Sequence, residues 1–241
     1  MIIGTIGDIH GKSVWKNIIT NNPHVEKWVF VGDYVDDYPP TTDEKILGNL
    51  LDIIEFKKAF PDKVELLWGN HELSYTLDQV CSGYRPSMSV VLPTILKQNK
   101  NLFKYAFQID NHVWTHAGIL KGWYDDFKIF LQFLKEQRNI DLVDFNIADQ
   151  INMLAQTSYA ACLFDISTVR GGFQRNGGPL WADKSEFGFV GRNVLENYHQ
   201  VVGHSKVSDP YKNEYNAVTQ NGSVTFIDCL DTVTEFYEKE I

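Results

Sequence analysis

Met1-Ile-Ile-Gly-Thr-Ile-Gly7-Asp8-Ile9-His10-Gly11 opens the chain: a short apolar run stops at a glycine and is followed by a carboxylate and an imidazole. The construction recurs along the sequence. Lys27-Trp-Val-Phe-Val precedes Gly32-Asp33, Val64-Glu-Leu-Leu-Trp precedes Gly69-Asn70, His112-Val-Trp-Thr precedes His116-Ala-Gly, and Gln200-Val-Val precedes Gly203-His204. Runs of this length, rich in β-branched and aromatic residues and bounded by glycine, are expected to be buried strands. Between them, Ile46, Leu47, Leu50, Leu51 and Ile54 make one helical stripe, Phe127, Phe130, Leu131 and Leu134 a second, and Ile147, Ile151 and Leu154 a third. Strands alternating with helices imply an α/β fold whose ligands gather at the carboxyl ends of the strands. Every polar residue just quoted falls at such an end.

The 241 residues suffice for one substantial core, and a single domain spanning 1–241 is expected. Hydrophobic residues make up 44% and charged residues 22%, which argues against disordered, collagen-like and membrane classes. No apolar run approaches the thickness of a bilayer and no signal-peptide pattern is present, so a cytoplasmic protein with no membrane partner is expected. Cys81, Cys162 and Cys229 are far apart and in no CxxC pair, which fits a reducing compartment. A formal charge of −9 disfavours a broad duplex nucleic-acid surface and leaves a small or flexible anionic substrate. Residues 167–192, rich in Gly and Arg, read as a long loop of the functional kind. Asn216–Thr219, Gln220-Asn221-Gly222 and Ser223–Ile227 read as a hairpin with an Asn-Gly turn.

A pair of divalent cations needs carboxylate, amide oxygen and imidazole ligands, a bridging carboxylate and an open position for water. The sequence supplies that set. Strand alternation would return Asp8 and His10 to one side; Asp33 could bridge; Asn70, His116 and His204 could complete a second shell. Any one of these residues alone is better read as a turn former, a helix cap or a hydrogen-bonded core group. Five strand ends carrying ligand types in compatible order reverse that reading.

These motifs, Gly7-Asp8-Ile9-His10-Gly11, Gly32-Asp33-Tyr34-Val35-Asp36, Gly69-Asn70-His71-Glu72, Thr115-His116-Ala117-Gly118 and Gly203-His204, resemble the calcineurin-like metallophosphoesterases, and in particular their PPP-type phosphatase branch. The resemblance implies a four-layer αββα sandwich with the metal site at the carboxyl ends of its strands. It implies that Asp8, His10 and Asp33 bind one metal and Asp33, Asn70, His116 and His204 the other. It implies that His71 protonates the leaving oxygen while Asp36 orients its ring. The cofactors would be two divalent ions, manganese foremost, with iron, zinc or nickel as alternatives because such O/N sites bind several metals. The cations would activate a bridging hydroxide for in-line attack on a phosphorylated substrate, whether phosphoprotein, nucleotide or small phosphoester.

One departure stands out. PPP phosphatases continue the second motif Gly-Asp-x-Val-Asp-Arg-Gly, and the arginine grips phosphate; here the position is Asp37. A carboxylate repels a dianion where bidentate guanidinium geometry would hold it. Arg170, Arg175 and Arg192 in the Gly-rich loop could supply the charge, Arg170 and Arg175 foremost because adjacent glycines allow close approach. Gly178-Pro-Leu-Trp181 resembles a stretch of bacterial PPP-like enzymes in which an arginine follows the tryptophan, where this chain has Ala182-Asp183. The expected activity is phosphomonoester hydrolysis. The missing clamp makes a phosphodiesterase or dinucleoside-polyphosphate hydrolase the alternative, and a non-catalytic binding module on the same scaffold is third.

Overall fold

The computed structural model describes residues 1–77, 80–188, 191–212, 214–217 and 221–241. The first half runs β1 (Ile2–Ile6), α1 (Trp15–Asn21), β2 (Lys27–Phe30), α2 (Asp43–Ala59), β3 (Val64–Leu67), α3 (Asn70–Ser74), α4 (Val91–Asn99) and β4 (Phe103–Lys104). It continues with β5 (Ala106–Ile109), β6 (His112–Thr115), α5 (Lys121–Arg138), α6 (Ile147–Leu154), β7 (His199–Lys206), β8 (Glu214–Asn216), β9 (Ser223–Asp228) and β10 (Tyr237–Glu240). The result is a mixed α/β fold with two five-stranded sheets, ordered β10-β1-β2-β3-β4 and β5-β6-β7-β9-β8. Two compact units are distinguished. One comprises Met1–Lys104, Lys206–Pro210 and Ile227–Ile241, the other Tyr105–Ser205 and Tyr211–Phe226.

In the first unit β1, β2, β3 and β4 are parallel neighbours, and β10 closes the other edge antiparallel to β1. Parallel strands are covered on both faces, which is why these runs are continuously apolar and do not alternate. Val64–Leu67 is buried throughout, Glu65 included, and that carboxylate is reached by Lys27 (3.5 Å), Lys57 (3.5 Å) and Lys104 (3.0 Å). Helix α2 starts at Thr42, whose hydroxyl accepts the Lys45 N–H, carries Asp43 and Glu44 in its first turn and ends on Lys57 and Lys58. Both ends therefore complement the helix dipole. Its buried stripe is Ile46, Leu50, Ile53 and Ile54; Leu51, expected inside, is 44% exposed. A stripe spaced i, i+4, i+7, i+8 excludes the position one residue beyond Leu50, which turns about 100° away.

In the second unit β5 is antiparallel to β6, β6 parallel to β7, and β8 antiparallel to β9. Trp123, Phe127, Leu131 and Leu134 form the buried face of α5, and Phe130 lies half-buried beside it. Ile147, Ile151 and Leu154 of α6 are all buried as expected. The long loop is more ordered than its composition implies: Thr168–Arg170 and Lys184–Phe187 are 3-10 turns, and Ser167 bridges to Gln174. Gly171 leaves the first turn at φ 83°, a conformation that favours glycine. The hairpin is present as Glu214–Asn216 paired with β9, Asn216 opposite Ser223; residues 218–220 of the expected strand and turn lie outside the described residues.

Phe30 is fully buried and packs edge-on against Trp15 at 5.7 Å. Phe30→Ala should lower the unfolding free energy by about 3–5 kcal/mol in urea titration. A loss below about 1 kcal/mol would show that this face of the sheet is not close-packed.

Candidate metal centre

Backbone strain marks the site. Among the described residues, seven non-glycine residues have positive φ, and four are candidate site residues: His10 (42°), Asp33 (52°), Asp36 (61°) and His204 (62°). Left-handed backbone disfavours side chains, so such positions persist only where the surroundings fix them. At the end of β2 that fixing comes from Glu72, whose side chain is fully buried. Its Oε1 accepts the N–H of Tyr34 (2.7 Å) and Val35 (3.1 Å), and its Oε2 those of Asp33 (3.0 Å) and Gly69 (3.0 Å). One carboxylate thus ties the turn after β2 to the turn after β3. Sequence reading placed Glu72 in a motif and assigned it no task.

The turn after β1 is tied to the same place, because Ile9 and His10 both donate their N–H to the Asp33 carbonyl, at 2.9 and 2.8 Å. Strand alternation is therefore not what positions Asp8 and His10. β1 ends at Ile6, and His10 is brought round by its left-handed backbone. The Nδ1 of His10 lies 3.0 Å from the Val35 carbonyl and 2.8 Å from that of Asp36. Carbonyls only accept, so Nδ1 carries the proton and Nε2, 3.9 Å from Asp33 Oδ2, presents a lone pair.

His71, at the start of α3, donates its backbone N–H to Asp33 Oδ1 (3.0 Å), and its ring Nδ1 sits 2.9 Å from Asp36 Oδ2. Its Nε2 is 3.8 Å from Asp33 Oδ2. Burial pulls the ring pKa down, but Asp33, the Asp36 hydrogen bond and charge, and Glu72 outweigh it and raise it to about 9. A cation on Asp33 would offset part of that pull. His10, Asp33 and His71 each bring a ligand-type atom within 4.8 Å of the others. Asn70, buried beside them, donates its amide N–H to Cys81 Sγ at 3.1 Å, while Ser74 Oγ lies 2.7 Å from the same sulfur. The Asn70 amide oxygen is of the type a hard or borderline divalent cation takes. Burial raises the Cys81 thiol to about 11, so it is an inert acceptor at neutral pH.

Asp8 is buried at the mouth of β1. Asp228, which sequence reading missed, is also buried, and a side chain on Gly7 would strike the Ile227 carbonyl at 2.5 Å and the Asp228 Cα at 3.1 Å. Burial raises the Asp228 carboxyl, with His10 opposing and Asp33 and Asp231 adding. The donor set of this unit, carboxylates, an amide oxygen and an imidazole of fixed tautomer, fits a hard or borderline divalent cation.

In the second unit His116 is fully buried at the end of β6, and His204 lies inside β7, not at its end as expected. β7 continues through His204, whose backbone is left-handed at φ 62°. His116 Nε2 and His204 Nδ1 are 3.1 Å apart, and the Gly203 N–H donates to the His116 carbonyl at 2.8 Å. Imidazole nitrogens about 2.1 Å from a common ion and roughly at right angles would stand about 3 Å apart, so this pair fits a metal. Gly178–Trp181 packs here: Ala117 donates to the Pro179 carbonyl (2.8 Å), and Trp181 meets His204 edge-on at 5.8 Å.

Arg170 reaches the residue after His204, with its guanidinium 3.3 Å from Ser205 Oγ and its Nε 2.7 Å from Asp183 Oδ2. The departure at Asp183 thereby gains a purpose: it anchors that arginine and caps the turn at Ser185. Arg175 lines a separate groove with Trp123, Phe127, Phe130 and Asp165, whose carboxyl burial raises to about 6. Asp37 accepts from its own turn, from the Tyr38 N–H (2.8 Å) and Thr41 Oγ1 (2.6 Å). Of the three remaining histidines, His24 pairs with Glu238 at 2.6 Å, His199 with Ser223 at 3.0 Å, and the His112 ring lies 5.1 Å from that of His199.

Comparison with known proteins agrees with this architecture. The calcineurin-like phosphoesterase family matches residues 1–216. A search of curated protein sequences gave no match. The fold is similar to that of the cold-active protein-tyrosine phosphatase of a psychrophilic Shewanella species (16% identity, 98% of this chain and 74% of that chain, TM-score 0.59). It is also similar to a serine/threonine phosphatase from Saccharomyces cerevisiae (13% identity, 94% of this chain and 67% of that chain, TM-score 0.50). The chain belongs to the calcineurin-like phosphoesterase family, and as such is a metal-dependent phosphoric ester hydrolase.

Glu72→Ala would strand four buried N–H groups. Each stranded donor costs about 1–3 kcal/mol, with partial relief from water, so a net loss on the order of 3–5 kcal/mol is expected in chemical denaturation. Weakened Mn²⁺ binding by calorimetry should accompany it. Unchanged stability would contradict the role given to this carboxylate.

Proposed function

We propose that the chain is a dinuclear phosphomonoesterase acting on a phosphoprotein, nucleotide or small phosphoester. The observation that carries the reading is the convergence of His10, Asp33 and His71, with the tautomer of His10 set by carbonyls and that of His71 by Asp36. Asp8, His10 and Asp33 would hold one metal; Asp33, Asn70, His116 and His204 would hold the other, Asp33 bridging. Manganese is the preferred ion, with iron, zinc or nickel as substitutes, because the donors are oxygen and nitrogen. When bound, such a pair supplies Lewis-acid polarisation of the phosphoryl oxygens and an activated water for in-line attack.

His71 then acts as general acid. Its Nδ1–H stays on Asp36, so the proton leaves from Nε2 and goes to the ester oxygen as the P–O bond breaks. Arg170, anchored beside His204's neighbour Ser205, is the preferred phosphate contact, and Arg175 the second candidate. The family match runs through both compact units, which supports one metallophosphoesterase domain over 1–241. Among the described residues no helix is long and apolar enough to cross a membrane; a cytoplasmic location is part of the same reading.

A phosphodiesterase or dinucleoside-polyphosphate hydrolase is the second reading. Asp37 favours it, since a carboxylate where PPP enzymes carry arginine is less hostile to a monoanionic diester than to a dianion.

With Mn²⁺ restored after chelation, His71→Ala should lower kcat on a chromogenic monoester by about 10²–10⁴-fold, the range of a lost general acid. Arg170→Ala should raise KM for the monoester about tenfold and leave that for the matched diester nearly unchanged, as loss of a charge-assisted phosphate contact would. Higher kcat/KM on the diester would select the second reading; wild-type activity in His71→Ala would remove the assigned acid.

A further inference from the structure

We propose that Tyr75 is a positioning residue for the reaction: it fixes Asp36, and through Asp36 the ring of His71. The inference rests on the reading of His71 as the leaving-group acid. The two oxygens of Asp36 have different donors. Oδ2 takes the His71 Nδ1–H at 2.9 Å, and Oδ1 takes the hydroxyl of Tyr75. Asp36 is 1% exposed and its backbone is left-handed at φ 61°, so these two donors hold the plane of its carboxylate, and the tyrosine hydroxyl is the one outside the His71 pair.

That hydroxyl is itself held. The Arg85 backbone N–H donates to it at 3.0 Å, which occupies an oxygen lone pair and leaves the hydroxyl proton for Asp36. The Tyr75 ring stacks on Tyr84 at 4.7 Å and 25°. Arg85 is locked in turn: its Nε and one terminal nitrogen donate to the Asp37 carbonyl at 3.1 and 2.8 Å. That same nitrogen reaches the Thr41 carbonyl at 2.6 Å, and the other terminal nitrogen meets Asp43 at 2.6 Å. The segment around Arg85 therefore clasps residues 37–43, the continuation of the motif that carries Asp36. Four of the five guanidinium N–H donors of Arg85 are committed to this clasp.

Without the hydroxyl, one carboxylate oxygen loses its donor, the carboxylate plane can turn, and the imidazole loses its aim. Misplacement of a catalytic group by about 1 Å costs on the order of 10²-fold. The cost falls on proton donation, so it should grow as the leaving group becomes more basic. Good leaving groups depart without an acid.

The test is Mn²⁺-loaded enzyme on a series of phosphate monoesters from p-nitrophenyl to alkyl. Tyr75→Phe should lower kcat about twofold on the first and about 30-fold or more on the last, with KM changed less than twofold, in line with a misaligned general acid. His71→Ala should show the same trend more steeply. In an Asp36→Asn background Tyr75→Phe should add nothing, because the two act through one another. A flat loss across the series, or losses that multiply in the double variant, would overturn the role of Tyr75 while leaving His71 in place. A flat series for His71→Ala would overturn the acid assignment and this inference with it.

Discussion

The rest of the structure depends on the carboxylate of Glu72. A fully buried anion is costly unless every lone pair is used. Here four backbone N–H groups from two strand-end turns converge on it. These amide dipoles neutralise the acid in place. The contrast with Glu65 is instructive: that buried acid is served by Lys27 of β2, Lys57 of α2 and Lys104 of β4. Two buried acids are thus satisfied in two ways, Glu65 by ammonium groups and Glu72 by backbone amides.

Holding the turns in this way permits the left-handed backbone at His10, Asp33 and Asp36. Each places a polar side chain where regular strand geometry would not, and each is disfavoured on its own. Hydrogen bonds between the turns make the arrangement collective: Ile9 and His10 on the Asp33 carbonyl, His71 on the Asp33 carboxylate, His10 on the Val35 and Asp36 carbonyls. The departures from the PPP pattern fit the same economy. Asp37 serves its turn, Asp183 anchors Arg170, and Arg85 closes the 37–43 loop.

Much of this was legible in the sequence. Apolar runs ending in Gly-Asp, Gly-Asn and Thr-His located the strands because buried parallel strands must be continuously apolar. Identity and order of the ligand types singled out His10, Asp33 and His71, whose ligand-type atoms lie within 4.8 Å of one another. Less legible was anything that depends on backbone conformation beyond a strand end. Alternation does not account for Asp8 and His10, because β1 stops at Ile6, and His204 sits within β7. Leu51 was misplaced because two adjacent leucines both satisfy helical spacing, and only packing decides between them. Tyr75, Cys81 and Arg85 carry no signature at all: their spacing from Asp36 and Asn70 becomes meaningful only after the chain returns from α3. Glu72 could have been found, since an acid three residues into a helix whose first turn is preceded by glycine is a recognised way to hold N-terminal amides.

In the proposed reading Asp33 would be shared by two cations. Elemental analysis of protein stripped with chelator, reloaded with Mn²⁺ and freed of excess ion tests it most directly, with wild type compared with Asp33→Asn and His204→Ala. The account predicts about two ions per chain in wild type, about one in His204→Ala and close to none in Asp33→Asn, as expected when a bridging carboxylate serves both positions. A single ion per chain in wild type, or an undiminished content in Asp33→Asn, would contradict it.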